Sequence, residues 1–149
     1  MTNESTIPST AWVGEIEQLL REVSVIVKRK GREILHHFPI TPPQFTALLW
    51  LDENGDMTIG ELSQKMFLAC STMTDLIDRM ENNGLVERVR DSRDRRVVRI
   101  HLLDEGSKII KEVMEARRGY LAEILSHLDK TEIDQIRKSL TILNEEMKK

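Results

Sequence analysis

Apolar residues recur along this chain at two different periods, and the changes of period mark its plan. Over residues 12–37 they fall at Val13, Ile16, Leu19, Leu20, Val23, Ile26, Val27, Ile34 and Leu35. These steps of three and four place them on one side of a long helix, and Pro39 lies beyond its end. Thr41-Pro42-Pro43-Gln44 then supplies an N-cap, a proline in the first helical position and a glutamine three residues after the cap. The second helix carries Phe45, Leu48, Leu49 and Leu51 and meets a turn at Asp52-Glu53-Asn54-Gly55. Thr58-Ile59-Gly60-Glu61 repeats the capping pattern and opens a short helix with Ile59, Leu62 and Met66 on one side. After a break over residues 67–70, a further helix is expected over 71–83, with Gly84 as its left-handed cap.

The period then drops to two. Residues 85–89 and 97–102 read as short strands. In the second, Val98, Ile100 and Leu102 share one face and Arg99 and His101 the other. The polar connection between them makes the pair a hairpin. Helical spacing returns over 104–127, with Asp104 as its cap and Ile109, Ile110, Val113, Met114, Leu121, Ile124 and Leu125 as apolar positions. A last helix starts near 129 or 131. Its apolar residues Ile133, Ile136, Leu140, Leu143 and Met147 step by three and four in strict alternation, a heptad seam. Such a seam predicts helix packing, either within the chain or across a two-fold axis.

Two short helices, a tight turn and a hairpin in this order make a winged helix-turn-helix. The expected fold is mainly α (α+β), with long terminal helices forming a bundle. Residues 1–11 read as a flexible tail and 12–149 as one domain. Within it the winged motif spans about 41–103, and the outer helices span 12–37 and 104–147. A length of 149 residues suits one domain that buries its own core. The single cysteine excludes an internal disulfide framework. Residues 1–10 lack the apolar stretch of a signal peptide, and the longest apolar runs have five residues, so a soluble, cytoplasmic protein with no membrane partner is expected.

The net charge of −3 argues against a nucleic-acid partner until its distribution is examined. From residue 88 to 99 there are six arginines and two aspartates, a local net of +4 on a remainder of −7. Between Lys65 and Lys108 there is no lysine but there are seven arginines. The planar fork of arginine suits phosphates and narrow grooves better than a hydrated ammonium does. In a winged motif the second helix lies in the major groove, where short side chains approach phosphates and base edges. Ser71, Thr72, Thr74, Asp75 and Asp78 are the outward residues of that helix, while Met73, Leu76, Ile77 and Met80 face inward. Arg93, Arg95 and Arg96 at the hairpin tip suit the minor groove, with Asp91 and Asp94 placed to orient them. Arg88, Arg90 and Arg99 read equally as phosphate contacts or as strand-surface residues.

These blocks resemble the MarR family of bacterial transcriptional regulators. The residues that carry the resemblance are Ile40-Thr41-Pro42-Pro43-Gln44-Phe45, Thr58-Ile59-Gly60-Glu61-Leu62-Ser63, the run from 71 to 81, Asn83-Gly84-Leu85-Val86-Glu87-Arg88, and Asp91-Ser92-Arg93-Asp94-Arg95-Arg96. The last looks like the family's wing signature. The resemblance implies a homodimer joined through its terminal helices, with Ile16, Leu19, Ile133, Ile136, Leu140 and Leu143 at the interface. It implies binding of double-stranded DNA at a pseudo-palindromic operator, most often as a repressor, under control of a small ligand or of oxidation. Asp75 departs from the basic or neutral polar group that many relatives carry there. It suits acceptance from a cytosine amino group or from a nearby arginine.

No phosphate loop, paired metal motif or nucleophile elbow is present, so neither an enzyme nor a cofactor or metal is expected. His36, His37, His101 and His127 form no ligand spacing, and the tandem pair suits a helix C-terminus. Cys70 reads as a packing residue rather than a redox switch, and the methionines at helical spacing read as core. Trp12, Trp50 and Phe45 read either as core or as the lining of a cavity for a small aromatic effector between the outer helices and the winged motif.

Overall fold

Side-chain caps mark the start of four of the six described helices, and the other two have none. The computed structural model describes residues 9–149. Helix α1 (Thr10–Leu35) starts where the Ser9 hydroxyl accepts the Trp12 N–H at 3.2 Å. It therefore takes in two residues that the apolar pattern assigns to a tail, because a cap needs no apolar neighbour. The rest of the expected tail, residues 1–8, lies outside the described residues. Helix α2 (Pro42–Asn54) opens with both halves of the Thr41–Gln44 capping box in place. It closes on Gly55, whose φ of 75° suits a residue without a Cβ. Helix α3 (Ile59–Met66) is capped by Thr58, whose hydroxyl accepts from the Glu61 N–H at 3.1 Å.

Helix α4 (Cys70–Asn82) ends through Gly84, at φ 73°, with the Gly84 and Leu85 N–H groups donating to the Glu81 and Met80 carbonyls. Strands β2 (Val86–Arg90) and β3 (Val98–Leu102) form the expected hairpin. Strand β1 (Met57–Thr58) is additional to the sequence reading, which two residues are too few to reveal by alternation. It pairs antiparallel with β3, giving the order β1-β3-β2 and setting Met57 opposite Ile100. Helix α5 (Asp104–Leu125) corrects another expectation: Leu103 is the N-cap, and Asp104 lies inside the first turn beside Glu105. There both carboxylates complement the helix dipole. Helix α6 (Lys130–Met147) is capped by Asp129 through a box with Glu132.

The core gathers beneath the winged motif. Leu48, Leu62, Met73, Ile77, Met80, Val86, Ile100 and Val113 have essentially no exposed surface. Met57, Met73 and Met80 are core, as expected, whereas Met147 is exposed. In the α3–α4 turn Leu68 packs against this core, whereas Phe67 does not. Phe67 takes the left-handed conformation at φ 54° and is 95% exposed, an arrangement that strains a residue with a Cβ.

At the start of α5, a Cβ added to Gly106 would stand 2.6 Å from the Leu85 carbonyl oxygen and 2.7 Å from Leu102 Cδ1. The same carbonyl accepts the Leu103 N–H at 3.0 Å, so it is held in place. Gly106→Ala should destabilise the protein by about 1–3 kcal/mol through overpacking, measured as a lowered urea midpoint; an unchanged midpoint would show that α5 shifts freely.

The junction of β1 with β3 is closed by His101 Nδ1, which lies 2.7 Å from Asp56 Oδ1. An ionised carboxylate offers only acceptors, so Nδ1 donates. The hydrogen bond to Asp56, reinforced by its charge, raises the His101 pKa above its ordinary value. The stabilisation is thus complete below the unfolded value and is lost as pH rises through the folded one. Wild type should exceed His101→Gln in thermal midpoint more at pH 5.5 than at pH 8.5, and a pH-independent difference would refute the linkage.

Candidate nucleic-acid interface

The buried positions of α4 determine which of its residues face out. With Met73, Ile77 and Met80 fully buried, Ser71, Thr72, Asp75 and Asp78 are exposed. Thr74 is half-buried, and its hydroxyl donates to the Cys70 carbonyl at 2.9 Å. It keeps its lone pairs free to accept, so the polar face expected over 71–78 exists as a surface. Asp78, however, already accepts from Arg88 Nη2 at 2.6 Å.

The hairpin loop is ordered by its two carboxylates. Asp91 accepts the Arg93 backbone N–H on Oδ1 and Arg99 Nη1 on Oδ2, both at 2.8 Å. Asp94 accepts the Arg96 backbone N–H and Nε on Oδ1, each at 3.1 Å, and Arg96 Nη2 on Oδ2 at 3.2 Å. Both carboxyls titrate below their ordinary value, Asp91 chiefly through the Arg93 N–H and Asp94 chiefly through the Arg96 side chain. Arg90 Nη1 donates to the Arg95 carbonyl at 2.9 Å. The Asp91 N–H to the Val97 carbonyl and the Val97 N–H to the Asp94 carbonyl close the loop.

The six arginines therefore fall into distinct groups. Arg88 is bound to Asp78 and Glu81, Arg90 to the loop backbone and Arg99 to Asp91. Arg96 is paired with Asp94 but remains 92% exposed, so that pair is weak and exchangeable. Arg93 and Arg95 are exposed and, among the described residues, have no side-chain partner. Glu81 was not singled out by the sequence reading, since a carboxylate in the last turn of a helix carries no signal until a cation on a later strand folds onto it.

On the outer helices, Ile16, Leu19, Ile136 and Leu140 are exposed, and Ile133 and Leu143 are half-buried. Val13, Ile16, Leu20, Leu143 and Met147 wall a cleft of about 560 Å³ between α1 and α6. A separate cavity of about 560 Å³ lies among α1, α2 and α5. Phe45, Leu35, Met114 and Leu121 provide apolar walls, and Arg32, Arg117 and Arg118 bring positive charge. Arg117 stands 5.1 Å from the Phe45 ring centre, and its Nε is buried with no hydrogen-bond partner. Of the three aromatics expected at such a cavity, only Phe45 lines it. Trp12 is exposed near the start of α1, and Trp50 packs against the core beneath Lys65. Cys70 also differs from expectation: it is exposed, with Sγ 3.4 Å from the Ser63 hydroxyl. Among the described residues no group of His, Cys, Asp and Glu could hold a metal ion, and no helix is long and apolar enough to cross a membrane.

Comparison with known proteins bears on this geometry. The MarR family model matches residues 40–98. An HTH-type transcriptional regulator of Bacillus subtilis, YsmB, is 59% identical over 92% of this chain and 94% of its own length. The Bacillus subtilis HTH-type transcriptional repressor MdtR is 33% identical, covering 83% of this chain and 79% of its own. The solved structure of a MarR family protein from Bacillus stearothermophilus, 53% identical, superposes with a TM-score of 0.85 and covers 96% of this chain and all of the other.

Because Arg93 and Arg95 are the uncommitted guanidinium groups, Arg95→Ala, and to a lesser degree Arg93→Ala, should weaken specific DNA binding by about 1–3 kcal/mol. Fluorescence anisotropy against a duplex selected from a random pool by the wild-type protein measures this. Unchanged affinity in both variants would remove the wing from the interface.

Proposed function

This chain belongs to the MarR family of DNA-binding transcriptional regulators and is not an enzyme, and from that premise we propose that it acts as a homodimeric repressor on a pseudo-palindromic operator. The observation that carries the reading is the uncovered apolar surface of the outer helices. Leu19 is 60% exposed and Leu140 57%, and both belong to regular helical stripes rather than scattered positions. Contiguous apolar surface of this kind marks an interface, and the heptad spacing of α6 specifies a helical partner. A second copy supplies one. Its two-fold axis then presents two α4 helices to half-sites about one helical turn apart.

In this reading Ser71, Thr72, Thr74 and Asp75 face the major groove and its phosphates. Arg93 and Arg95 enter the adjacent minor groove. Arg96 exchanges Asp94 for a phosphate, and Arg90 and Arg99 hold the loop in shape. The repressor sense follows the relative named as a transcriptional repressor at 33% identity.

Ligand control is assigned to the cavity among α1, α2 and α5. Its apolar walls and the unpartnered Arg117 Nε suit an amphipathic anion such as a small aromatic carboxylate. The cavity joins an outer helix to the winged motif, so an occupant there changes the separation of the two α4 helices. Releasing DNA about 100-fold requires about 2.7 kcal/mol of difference between the two states.

Leu140→Asp places a charge in the seam and should convert the dimer to a monomer by light scattering, with loss of cooperative binding to the selected duplex. A mass that still matches a dimer would exclude this seam, and a wild-type monomer would exclude the homodimer altogether.

A further inference from the structure

The contacts of Arg88 are unlike those of the other arginines of the hairpin, because they leave the wing and reach the recognition helix. Nη2 donates to Asp78 Oδ1 at 2.6 Å and Nη1 to Glu81 Oε1 at 2.6 Å. The Arg88 backbone N–H donates to Glu81 Oε2 at 3.1 Å. One guanidinium fork thus spans two carboxylates on successive turns of α4. One of those carboxylates in turn spans the side chain and backbone of Arg88. β2 lies at the edge of the sheet, so an outward N–H there has no strand to pair with. Glu81 supplies the missing acceptor.

The chain link between these elements is only residues 83–85, and it contains Gly84 at positive φ. The shared core of Met80, Leu85, Val86 and Ile100 anchors the base of the hairpin against α4, but beyond Val86 no residue of β2 is buried. The contacts of Arg88 span the same junction by a second route. We propose that the Asp78–Arg88–Glu81 triad is a brace that fixes the wing relative to the recognition helix, and that Arg88, Asp78 and Glu81 are positioning residues for DNA recognition rather than DNA contacts. This rests on the reading that α4 and the wing engage neighbouring grooves. Held at one angle, the two elements bind as a single bidentate unit, and the second contact follows the first without a search.

Charge makes the test decisive. Removing an acidic group beside DNA should strengthen binding through the general field, whereas loosening a brace should weaken it. The full-length protein is titrated by anisotropy against the duplex selected by wild type and against a scrambled duplex of equal length and composition, over a range of salt. Glu81→Gln and Asp78→Asn are expected to bind the selected duplex roughly 10-fold more weakly, with binding to the scrambled duplex unchanged or tighter. Arg88→Met is expected to lose a similar factor while keeping the wild-type slope of log K against log salt. A lost phosphate contact would instead flatten that slope by about one unit per copy.

Arg88→Lys should recover only part of the loss, because an ammonium cannot span both carboxylates. Should Arg88→Met unfold, the reversed pair Glu81→Arg with Arg88→Glu decides the matter: binding above that of either single reversal supports the brace. Tighter or unchanged binding of the selected duplex by Glu81→Gln overturns it, as does a flattened salt slope in Arg88→Met. If even wild type fails to distinguish the selected duplex from the scrambled one, the failure lies with the operator reading and not with the triad.

Discussion

The arrangement of this molecule depends on the complete burial of one side of α4. Met73, Ile77 and Met80 lock into the core with Leu48, Leu62 and Ile100. Those anchors are spaced by four and three residues, so they fix the rotation of the helix about its own axis. The hydroxyls and carboxylates of 71–78 are consequently presented outward at fixed angles. In the proposed reading Ser71, Thr72, Thr74 and Asp75 contribute to recognition only because the opposite side cannot turn. The sheet serves the same end: Ile100 of its central strand packs into this core, and the hairpin extends outward from it.

Electrostatics then works at short range. An overall charge of −3 gives no general attraction to DNA, yet the hairpin concentrates six arginines within twelve residues. Its aspartates organise these arginines rather than cancel them. Asp91 and Asp94 each satisfy backbone and side-chain donors within the loop, which pre-shapes the tip and leaves Arg93 and Arg95 uncommitted. Pre-shaping lowers the entropy cost of ordering the loop backbone on binding.

Much of this was legible from the chain alone. Among the described residues periodicity found each helix and both long strands, since amphipathic faces repeat over many residues. Capping chemistry placed the start of α2, and Gly84 marked the end of α4. Three kinds of feature escaped. The first is structure shorter than its own period, as with β1. The second is the choice of cap: Asp104 has the right side chain, but Leu103 holds the position, because the tertiary bond from its N–H to the Leu85 carbonyl sets the chain's path. The third is pairing between distant residues. Nothing local to Arg88 shows that its guanidinium turns toward Glu81, and nothing local to Trp12 or Trp50 excludes them from the cavity that Phe45 lines.

The missing side chain at Gly106 has a mechanical consequence. α5 packs tightly on the winged motif there, and Ile109, Ile110 and Val113 continue the buried contact; its length beyond Val113 extends about 18 Å at the rise of an α-helix. Such a rod is a lever whose base is the buried stretch from Gly106 to Val113. A tilt of about 10° at the end of that base carries the far end roughly 3 Å, while atoms beside Gly106 scarcely move. Movement of the distal end of α5 thus reaches the winged motif reduced in amplitude, and a slight adjustment of the buried stretch is magnified in the opposite direction.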